Sequence, residues 1–440
     1  MAHFKKKSPA TIYLLNLGCS KNQVDAERIL GEFAAHGVRY VESPEEADLL
    51  LVNSCGFIES AKEESIQEIL TLAQSKRSDQ QLLVAGCLSQ RYGDELRSEM
   101  PEVDLMVGTY RPGELVQKLT LAPAPNCADC MNRRIRIDGM THHAFIKVAE
   151  GCNRNCAFCA IPLIRGKQVS TPPEELIAEI QGLHATGVKE ISLVAQDLSF
   201  YGRERGGPQT TLHHLVEKIV RETEVDWIRL CYAYPALITP ELIELMANEP
   251  RICKYLDIPI QHGSDAMLAK MHRGYTKRGA LIMLRKLRKA MPEIALRTTL
   301  LIGFPGESES DIEELLEIVE EVRFDRLGCF TYSEEEGTAA ARSKDPRVDP
   351  EIAIERAERI MAVQEAISGE RNEKLIGREL KVIVDGADEG GTAHFVARTE
   401  WDAPEVDNIV RIVEGNATPG EFCRVRVVDA TPFELDAVVV

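Results

Sequence analysis

Three cysteines stand close together in the stretch Gly151 to Cys159, which reads GCNRNCAFC. The spacing of Cys152, Cys156 and Cys159 lets one loop wrap a four-iron four-sulfur cluster, and three thiolates leave the fourth iron without a protein ligand. An open coordination position allows a metal centre to bind a substrate or cofactor. A structural zinc ion would require a fourth ligand, and the neighbouring sequence offers none. We therefore predict a cluster that takes part in chemistry.

Three further cysteines are far apart in the sequence but share a setting. Cys19, Cys55 and Cys87 are separated by 36 and 32 residues, and each comes shortly after an apolar run. If those runs are parallel strands of one sheet, their carboxyl ends face one crevice and the three thiols converge there. One buried cysteine is an ordinary core residue, whereas three in one topological position indicate a ligand set. We predict a second iron–sulfur cluster at this place.

The other cysteines and the paired histidines give weaker signals. Four cysteines in apolar or strand-like surroundings are predicted to be core thiols: Cys231, Cys253, Cys329 and Cys423. Cys127 and Cys130 have metal-binding spacing but no second pair, so we do not expect them to bind a metal. Histidines without a metal-ligand context are expected at the surface: His142, His143, His213 and His214.

Composition limits the class of protein. At 440 residues the chain is too long for one core, so two to four domains are expected. No apolar run approaches the ~20 residues that span a bilayer, and the basic start MAHFKKKSPA lacks a cleavage site, so we predict a cytoplasmic protein without a membrane partner. There, 12 cysteines indicate metal or redox chemistry more than disulfides. A net charge of −18 disfavours a dominant nucleic-acid surface and suits a basic partner.

The elements that would position these residues fall into three segments. In the first, residues 9–120, strand-like apolar runs alternate with helical patterns: Thr11 to Leu17, Asp48 to Val52 and Gln81 to Ala85. This βαβ alternation predicts an α/β domain with a doubly wound parallel sheet. The stretch Ser43 to Glu46 has the capping serine, early proline and glutamate of a helix start.

The central segment, residues 138–368, follows a predicted linker over residues 121–137. It repeats a strand-then-helix alternation six times, with strands predicted at Ala144 to Ala149, Glu190 to Gln196, Trp227 to Tyr232, Tyr255 to Ile260, Leu296 to Ile302 and Arg326 to Tyr332. Helices are predicted between the strands, and a long charged helix near Glu351 to Leu375 closes the segment. Six βα units in series predict a partial parallel barrel with functional groups at the carboxyl ends of its strands.

The last segment, residues 372–440, consists of short alternating strands separated by Gly, Asp and Pro turns. This pattern predicts a small five-stranded antiparallel barrel. Residues 371–440 contain 8 Lys and Arg against 14 Asp and Glu, a net charge of −6. Such a module should repel phosphate and attract a protein rich in Lys and Arg.

A few residues that follow the predicted barrel strands are candidates for cofactor binding. Gln196 ends the second strand, while Gly303 and Pro305 follow the fifth in GFPG, where a glycine lets a ligand approach the backbone. Phe158, inside the cysteine loop, offers a ring on which an adenine could stack. Loop geometry and packing explain these residues equally well. The acidic run Glu334 to Glu336 is typical of a solvated face, although it follows the sixth strand.

Taken together, these motifs resemble the radical S-adenosylmethionine methylthiotransferases over essentially the whole chain. The resemblance implies an amino-terminal methylthiotransferase domain, a radical core and a carboxyl-terminal TRAM module, and it matches both cysteine sets to cluster ligands. Three stretches are similar to the branch that modifies one aspartate of the twelfth small-subunit ribosomal protein: YLDIPIQHGS, LVAQDLSFYG and FTYSEEEGTAA. Relatives that modify transfer RNA typically carry an arginine in the last stretch.

The resemblance implies two four-iron four-sulfur clusters and S-adenosylmethionine as cofactors. One cluster would cleave S-adenosylmethionine to a radical that takes hydrogen from the aspartate β-carbon, and that carbon would receive a methylthio group from the second cluster. A low-potential electron donor and a sulfur donor are implied as partners, and no catalytic residue beyond the cluster ligands is required. Two alternatives stay open: a transfer-RNA adenosine methylthiotransferase, and a non-catalytic iron–sulfur electron carrier, against which the missing fourth cysteine at each site argues.

Overall fold

The computed structural model describes residues 9–119, 134–137, 139–207, 211–388, 390–391 and 393–440. The predicted pair Cys127 and Cys130 lies outside these residues. Two open parallel sheets and one closed barrel follow one another along the chain, with a short two-stranded sheet beside the second. Within the described ranges, no helix combines the length and the apolar character that a membrane span requires.

The first sheet contains five parallel strands in the order β2-β1-β3-β4-β5. The strands are β1 (Thr11–Asn16), β2 (Arg39–Tyr40), β3 (Leu49–Ser54), β4 (Gln81–Gly86) and β5 (Leu105–Met106). The helices are α1 (Ser20–Ala35), α2 (Glu59–Ser75), α3 (Cys87–Glu99) and α4 (Glu114–Lys118). Because α1 and α4 pack on one face while α2 and α3 pack on the other, the prediction of a doubly wound sheet is confirmed.

The predicted helix start at Ser43 to Glu46 is only a single turn. A 3-10 helix spans Pro44–Glu46, and the chain then enters β3. The Ser43 hydroxyl donates to the Glu45 carboxylate at 2.5 Å and caps no backbone N–H. The capping signal was wrong here because the apolar run that follows pairs as a buried central strand, and that pairing leaves no residues for further helical turns.

The second sheet contains six parallel strands in the order β13-β12-β11-β10-β9-β6. Its strands are β6 (His143–Lys147), β9 (Glu190–Val194), β10 (Trp227–Leu230), β11 (Ile252–Asp257), β12 (Ala295–Ile302) and β13 (Arg326–Thr331), while β7 (Ala149–Glu150) and β8 (Val169–Ser170) form the two-stranded sheet. The helices are α5 (Ile161–Arg165), α6 (Pro173–Ala185), α7 (Leu212–Glu222), α8 (Pro240–Asn248), α9 (Asp265–Lys270), α10 (Lys277–Ala290), α11 (Glu309–Val322) and α12 (Pro350–Glu373). The edges β6 and β13 do not pair, so the predicted open arc of a barrel is confirmed.

One predicted strand of this sheet is displaced by three residues. The sequence predicts Tyr255 to Ile260, whereas β11 begins at Ile252 and ends at Asp257. Pro259 has no N–H to donate to a ladder, so the regular strand stops before it. The displacement makes Asp257, instead of Ile260, the last residue at the carboxyl end of the strand.

The carboxyl-terminal barrel is closed and has five strands in the order β14-β15-β16-β18-β17. They are β14 (Glu379–Ala387), β15 (Phe395–Thr399), β16 (Ile409–Glu414), β17 (Phe422–Ala430) and β18 (Glu434–Val439). The predicted small barrel is confirmed, although β16 and β18 pair in parallel while the other pairs are antiparallel.

This small barrel docks against the amino ends of the central strands. Phe422 packs edge-on against Trp227 with ring centroids 4.9 Å apart. In the buried layer beside these rings, Arg398 of the small barrel lies 2.8 Å from Glu190, which also accepts a hydrogen bond from Arg229. Although burial opposes ionisation, Arg398 and Arg229 hold the pKa of Glu190 well below its usual range.

The charge of the small barrel is partly neutralised at this interface. Acidic residues of the small barrel pair with the central sheet, since Asp402 bonds Arg326 and Asp407 bonds Arg297. Part of the net negative charge of the module is therefore neutralised inside the molecule. The charge of the module is accordingly a weaker argument for a basic partner.

The first histidine pair is also buried instead of exposed. His142 bonds Asp385 at 2.8 Å, and His143 bonds Ser192 at 3.0 Å. Burial lowers the pKa of His143 well below its usual value. The sequence prediction was wrong because it rested only on the missing metal-ligand context, whereas His143 begins β6 and His142 bonds a residue of the docked barrel.

Candidate functional site

The cysteine loop lies directly after β6 and β7, at the carboxyl end of the central sheet. Gly151 has a φ of 77°, and a methyl group there would lie 2.4 Å from the Lys167 carbonyl oxygen, so only glycine fits this turn. The turn places Cys152 in the interior, with Cys156 and Cys159 partly exposed. Burial raises the pKa of the Cys152 thiol to about 11 and that of Cys159 to about 12.

Two arginines hold this loop against the central sheet. Arg273 donates to Cys156 Sγ at 3.2 Å and to the Pro259 carbonyl at 2.8 Å. Arg154, inside the loop, bonds Asp197 at 2.7 Å, and its backbone N–H points at Cys152 Sγ at 3.4 Å. Donors aimed at sulfur are the surroundings that a cluster-bound thiolate requires.

The three scattered cysteines converge at the carboxyl edge of the first sheet. Cys19 follows β1, Cys55 follows β3 and Cys87 begins α3 directly after β4. A methyl group on Gly18 would lie 3.0 Å from Cys55 Sγ, which shows how closely the first two loops approach. All three thiols influence one another electrostatically. The three cysteines lie at one edge of the sheet, and their role as a ligand set stays a prediction.

The thiols of this second set differ in their environments. Burial raises the pKa of Cys87 to about 12, although Arg165 lies against it. Cys19 is solvent-accessible yet sits deep enough for desolvation to oppose its ionisation; Lys21 and Arg165 outweigh that effect, and the pKa of Cys19 is lowered. One member of the set therefore faces the crevice while another faces the interior.

Arg165 joins the two cysteine sets across the domain boundary. It belongs to α5, which begins two residues after Cys159, yet its guanidinium donates to Cys87 Sγ at 3.3 Å and to Asn22 at 2.5 Å. It is fixed by two carboxylates, at 3.1 Å from Asp25 and 2.6 Å from Glu150. Ala160, next to Cys159, belongs with Ile164 and Cys87 to one small apolar cluster. The two sets therefore lie on either side of one buried contact.

A second contact between the domains is made by Glu335. Its side chain is 2% exposed and accepts from Arg91 at 2.6 Å and from Lys62 at 3.3 Å. Arg91 also donates to the Glu336 carbonyl at 2.9 Å. The acidic run is thus a solvated face only at Glu334 and Glu336, and the expectation for Glu335 is wrong because two cations of the first domain bury it. We call Glu335, Arg91 and Lys62 the clasp.

The predicted cofactor-binding residues lie in the cysteine loop or directly after the strands β9 and β12 of the central sheet. Gln196 follows β9, and its side-chain oxygen is buried without a hydrogen-bond partner among the described residues. Phe158 is partly buried against an apolar cluster that includes Phe304. Gly303 donates its N–H to Glu307, and a methyl group there would lie 2.7 Å from Ala353 Cβ, so packing of α12 accounts for this glycine.

Pro305 is buried in the turn after β12. As binding residues, it and the other three stay predictions.

Sequence reasoning missed several charged residues near the cysteines or between the domains: Lys21, Asp25, Arg165, Arg273 and the two cations of the clasp. A signal existed for the first two, because they lie within six residues of Cys19 in CSKNQVD. No spacing rule connects Arg165 to Cys87, since 78 residues separate them.

Three family models match consecutive parts of the chain. The family described as uncharacterized protein family UPF0004 matches residues 11–108, the radical SAM superfamily matches residues 146–319, and the TRAM domain matches residues 376–440. A protein of Chlorobium limicola named ribosomal protein uS12 methylthiotransferase RimO is 44% identical over 98% of this chain and 99% of its own length. The chain belongs to the RimO family of methylthiotransferases. A family member from Anaeromyxobacter sp. strain K is 45% identical over 96% of this chain and 92% of its own length.

Solved structures support the fold at greater distance. The radical S-adenosylmethionine methyltransferase TsrM from Kitasatospora setae, solved with cobalamin and a four-iron four-sulfur cluster, superposes with a TM-score of 0.53 over 74% of this chain and 75% of its own, at 14% identity. The cobalamin-dependent radical enzyme OxsB reaches 0.51 over 81% of this chain and 56% of its own, at 13% identity. At these identities the likeness concerns the arrangement of the sheets alone.

Proposed function

We propose that this chain adds a methylthio group to the β-carbon of one aspartate of ribosomal protein uS12. The observation that carries the proposal is that Arg165, six residues after Cys159 of the first set, donates to the Cys87 thiol of the second set. A radical generator and a sulfur-bearing centre must lie this close if both act on one carbon atom. The named relatives, identical at more than four positions in ten over the whole chain, support the same reaction.

The donor sets fit two iron–sulfur clusters and S-adenosylmethionine. Each set offers three thiols and an arginine N–H aimed at one sulfur, Arg273 at Cys156 and Arg165 at Cys87. In the described part of the chain, no three Cys, His, Asp or Glu side chains are grouped as for one metal ion. Each thiolate of a cubane cluster binds a different iron, so such ligands stand farther apart than those of a single ion. The unpartnered oxygen of Gln196 fits an N–H donor of the nucleoside.

In this proposal Cys152, Cys156 and Cys159 hold the radical cluster, and Cys19, Cys55 and Cys87 hold the second. When bound, these groups supply the electron that cleaves S-adenosylmethionine and the sulfur that is transferred. The chain itself supplies placement. Arg154 is held by Asp197 and stacks 3.8 Å from the Tyr234 ring, which fixes the cysteine loop over the ends of β9 and β10. The Arg165 contacts fix the first domain against that loop.

The surrounding assignments are part of the same proposal. Residues 9–120, 138–368 and 372–440 act as the methylthiotransferase, radical and TRAM domains, and the protein works in the cytoplasm, where its ribosomal substrate is made. A low-potential electron donor and a sulfur donor complete the reaction. Phe158, Gln196, Gly303 and Pro305 line the S-adenosylmethionine site.

The test is anaerobic reconstitution with iron and sulfide, followed by mass spectrometry of uS12 after incubation with S-adenosylmethionine and a reductant. We expect one methylthio group on one aspartate. Cys423→Ala is the matched control, because this thiol lies in the small barrel away from both sets. Methylthio groups on transfer RNA instead of uS12 would transfer the chain to the RNA-modifying alternative. Intact clusters that never cleave S-adenosylmethionine would support the electron carrier.

A further inference from the structure

Lys21 stands where the two domains meet. It lies in the first turn of α1, two residues after Cys19, and its side chain crosses to the central sheet, where the ammonium lies 3.6 Å from the centre of the Tyr232 ring. Tyr232 follows β10 and has a φ of 65°, a left-handed conformation that is costly for a tyrosine. A strained residue at the carboxyl end of a barrel strand, under a cation from another domain, marks a functional position.

The charge of Lys21 is not balanced by a protein carboxylate. Lys21 is 8% exposed, and among the described residues its ammonium makes no hydrogen bond or ion pair. Neighbouring cations differ in this respect, since Lys147 bonds Asp25 and Glu150. Asp257 lies close enough to Lys21 for an electrostatic effect, but it is bonded to Arg297 at 3.3 Å.

The acidic side chain nearest to Lys21 in the sequence is the Cys19 thiol, which the proposed cluster would bind, so the largely buried ammonium has no carboxylate of its own and an anionic ligand would offset the cost of burying it. The ammonium is not among the fully buried atoms that lack a partner, so it keeps some contact with solvent beside Tyr232, at the carboxyl end of the central sheet. Cys19, on the same turn, is also solvent-accessible. A carboxylate on Lys21 would therefore lie between the second cysteine set and the ends of the central strands.

We propose that Lys21 binds the side-chain carboxylate of the target aspartate. This inference rests on the proposed function and deepens it. In aspartate the reactive β-carbon is bonded directly to the carboxylate carbon, so one charge-assisted contact fixes the atom that must react. An adenine ring has no anionic group bonded directly to its reacting carbon, so a lysine that contacts the group next to that carbon suits an aspartate better than an adenine.

S-Adenosylmethionine also carries a carboxylate, and the experiment separates the two sources. Binding of a peptide that spans the target aspartate is compared with binding of the same peptide with asparagine, by fluorescence anisotropy on the full chain before and after cluster reconstitution. Wild type should prefer the aspartate peptide about tenfold, as expected for one charge-assisted hydrogen bond. Lys21→Met should lose the preference, and Lys21→Arg should keep most of it.

Lys76→Met is the matched control, because Lys76 bonds Asp104 at the opposite edge of the same sheet; its preference should equal that of wild type. Equilibrium dialysis of labelled S-adenosylmethionine provides the second arm, and Lys21→Met should bind it as wild type does. If Lys21→Met keeps the preference for aspartate, or loses S-adenosylmethionine binding alone, the inference is wrong while the proposed function stands. If wild type binds neither peptide and leaves uS12 unmodified, both are wrong.

Discussion

The two cysteine sets present similar chemistry through different architecture. Cys152, Cys156 and Cys159 lie in one loop of eight residues, counted from 152 to 159, whereas Cys19, Cys55 and Cys87 come from three strand ends of a sheet. The first set depends on one local turn. The second requires the parallel sheet that brings three strand ends together, and Arg165, which donates to Cys87, comes from the other domain. Damage to the loop should therefore stay local, while damage to the first sheet should affect coupling between the sets.

The largest expected difference is between the two cysteine sets themselves. Cys156→Ala should abolish cleavage of S-adenosylmethionine, because three thiolates are needed for the radical cluster. Cys87→Ala should retain formation of 5′-deoxyadenosine and lose methylthio transfer. Each variant should lose about four of about eight iron atoms. Iron analysis with chromatography of both products measures this, and equal loss of cleavage in both variants would contradict the division of roles.

Substitution of the arginines that donate to cysteine sulfur should reduce the two activities, cleavage and transfer, less completely than loss of a cysteine. Substitution of such outer partners typically costs ~10- to 100-fold in metal affinity or activity. Arg273→Met should lower the rate of S-adenosylmethionine cleavage, whereas Arg165→Met should lower methylthio transfer and leave cleavage near normal. Both rates are measured on the same reconstituted samples. Arg285→Met, at an exposed pair with Glu321, is the control and should change neither.

Alanine substitution of the glycines before Cys87 and Cys152 compares the two cysteine sets by their effect on the stability of the surrounding structure. Gly86 has a φ of 107°, and a methyl group there would meet the Ser54 carbonyl oxygen at 2.4 Å, the same distance as at Gly151. Alanine at either position should destabilise its surroundings by about 1–3 kcal/mol. Hydrogen exchange should show loosening across β3 and β4 for Gly86→Ala but only around the loop for Gly151→Ala. Gly182→Ala, where nothing lies near, is the control.

The smallest effect is expected from the clasp. Glu335→Gln removes the charge that holds Arg91 and Lys62 but keeps the shape of the side chain. Transfer should fall a few-fold and the ratio of 5′-deoxyadenosine to methylthio product should rise, because the first domain is held less firmly over the loop. Glu334→Gln, at an exposed pair with Arg347, should leave this ratio unchanged. A normal ratio in Glu335→Gln would show that the Arg165 contacts suffice.

Sequence patterns were enough to predict the fold and to single out both cysteine sets. Local spacing was enough for Cys152 to Cys159, and for Cys19, Cys55 and Cys87 the rule that parallel strands share a carboxyl edge was enough. Ion pairs between residues that are distant in the sequence could not be predicted in this way. Nothing in a single sequence places Arg91 beside Glu335 or Asp385 beside His142, because an ion pair leaves no periodic signature, and residues that look solvated were therefore assigned to the surface.

The position of the small barrel limits the side from which a ligand can reach the central sheet. The amino end of the central sheet is covered by the small barrel, through Trp227 against Phe422 and through the pair of Glu190 with Arg398. A ligand of this sheet therefore reaches it from the carboxyl end, where Lys21 and the cysteine loop lie, or from the open side between β6 and β13.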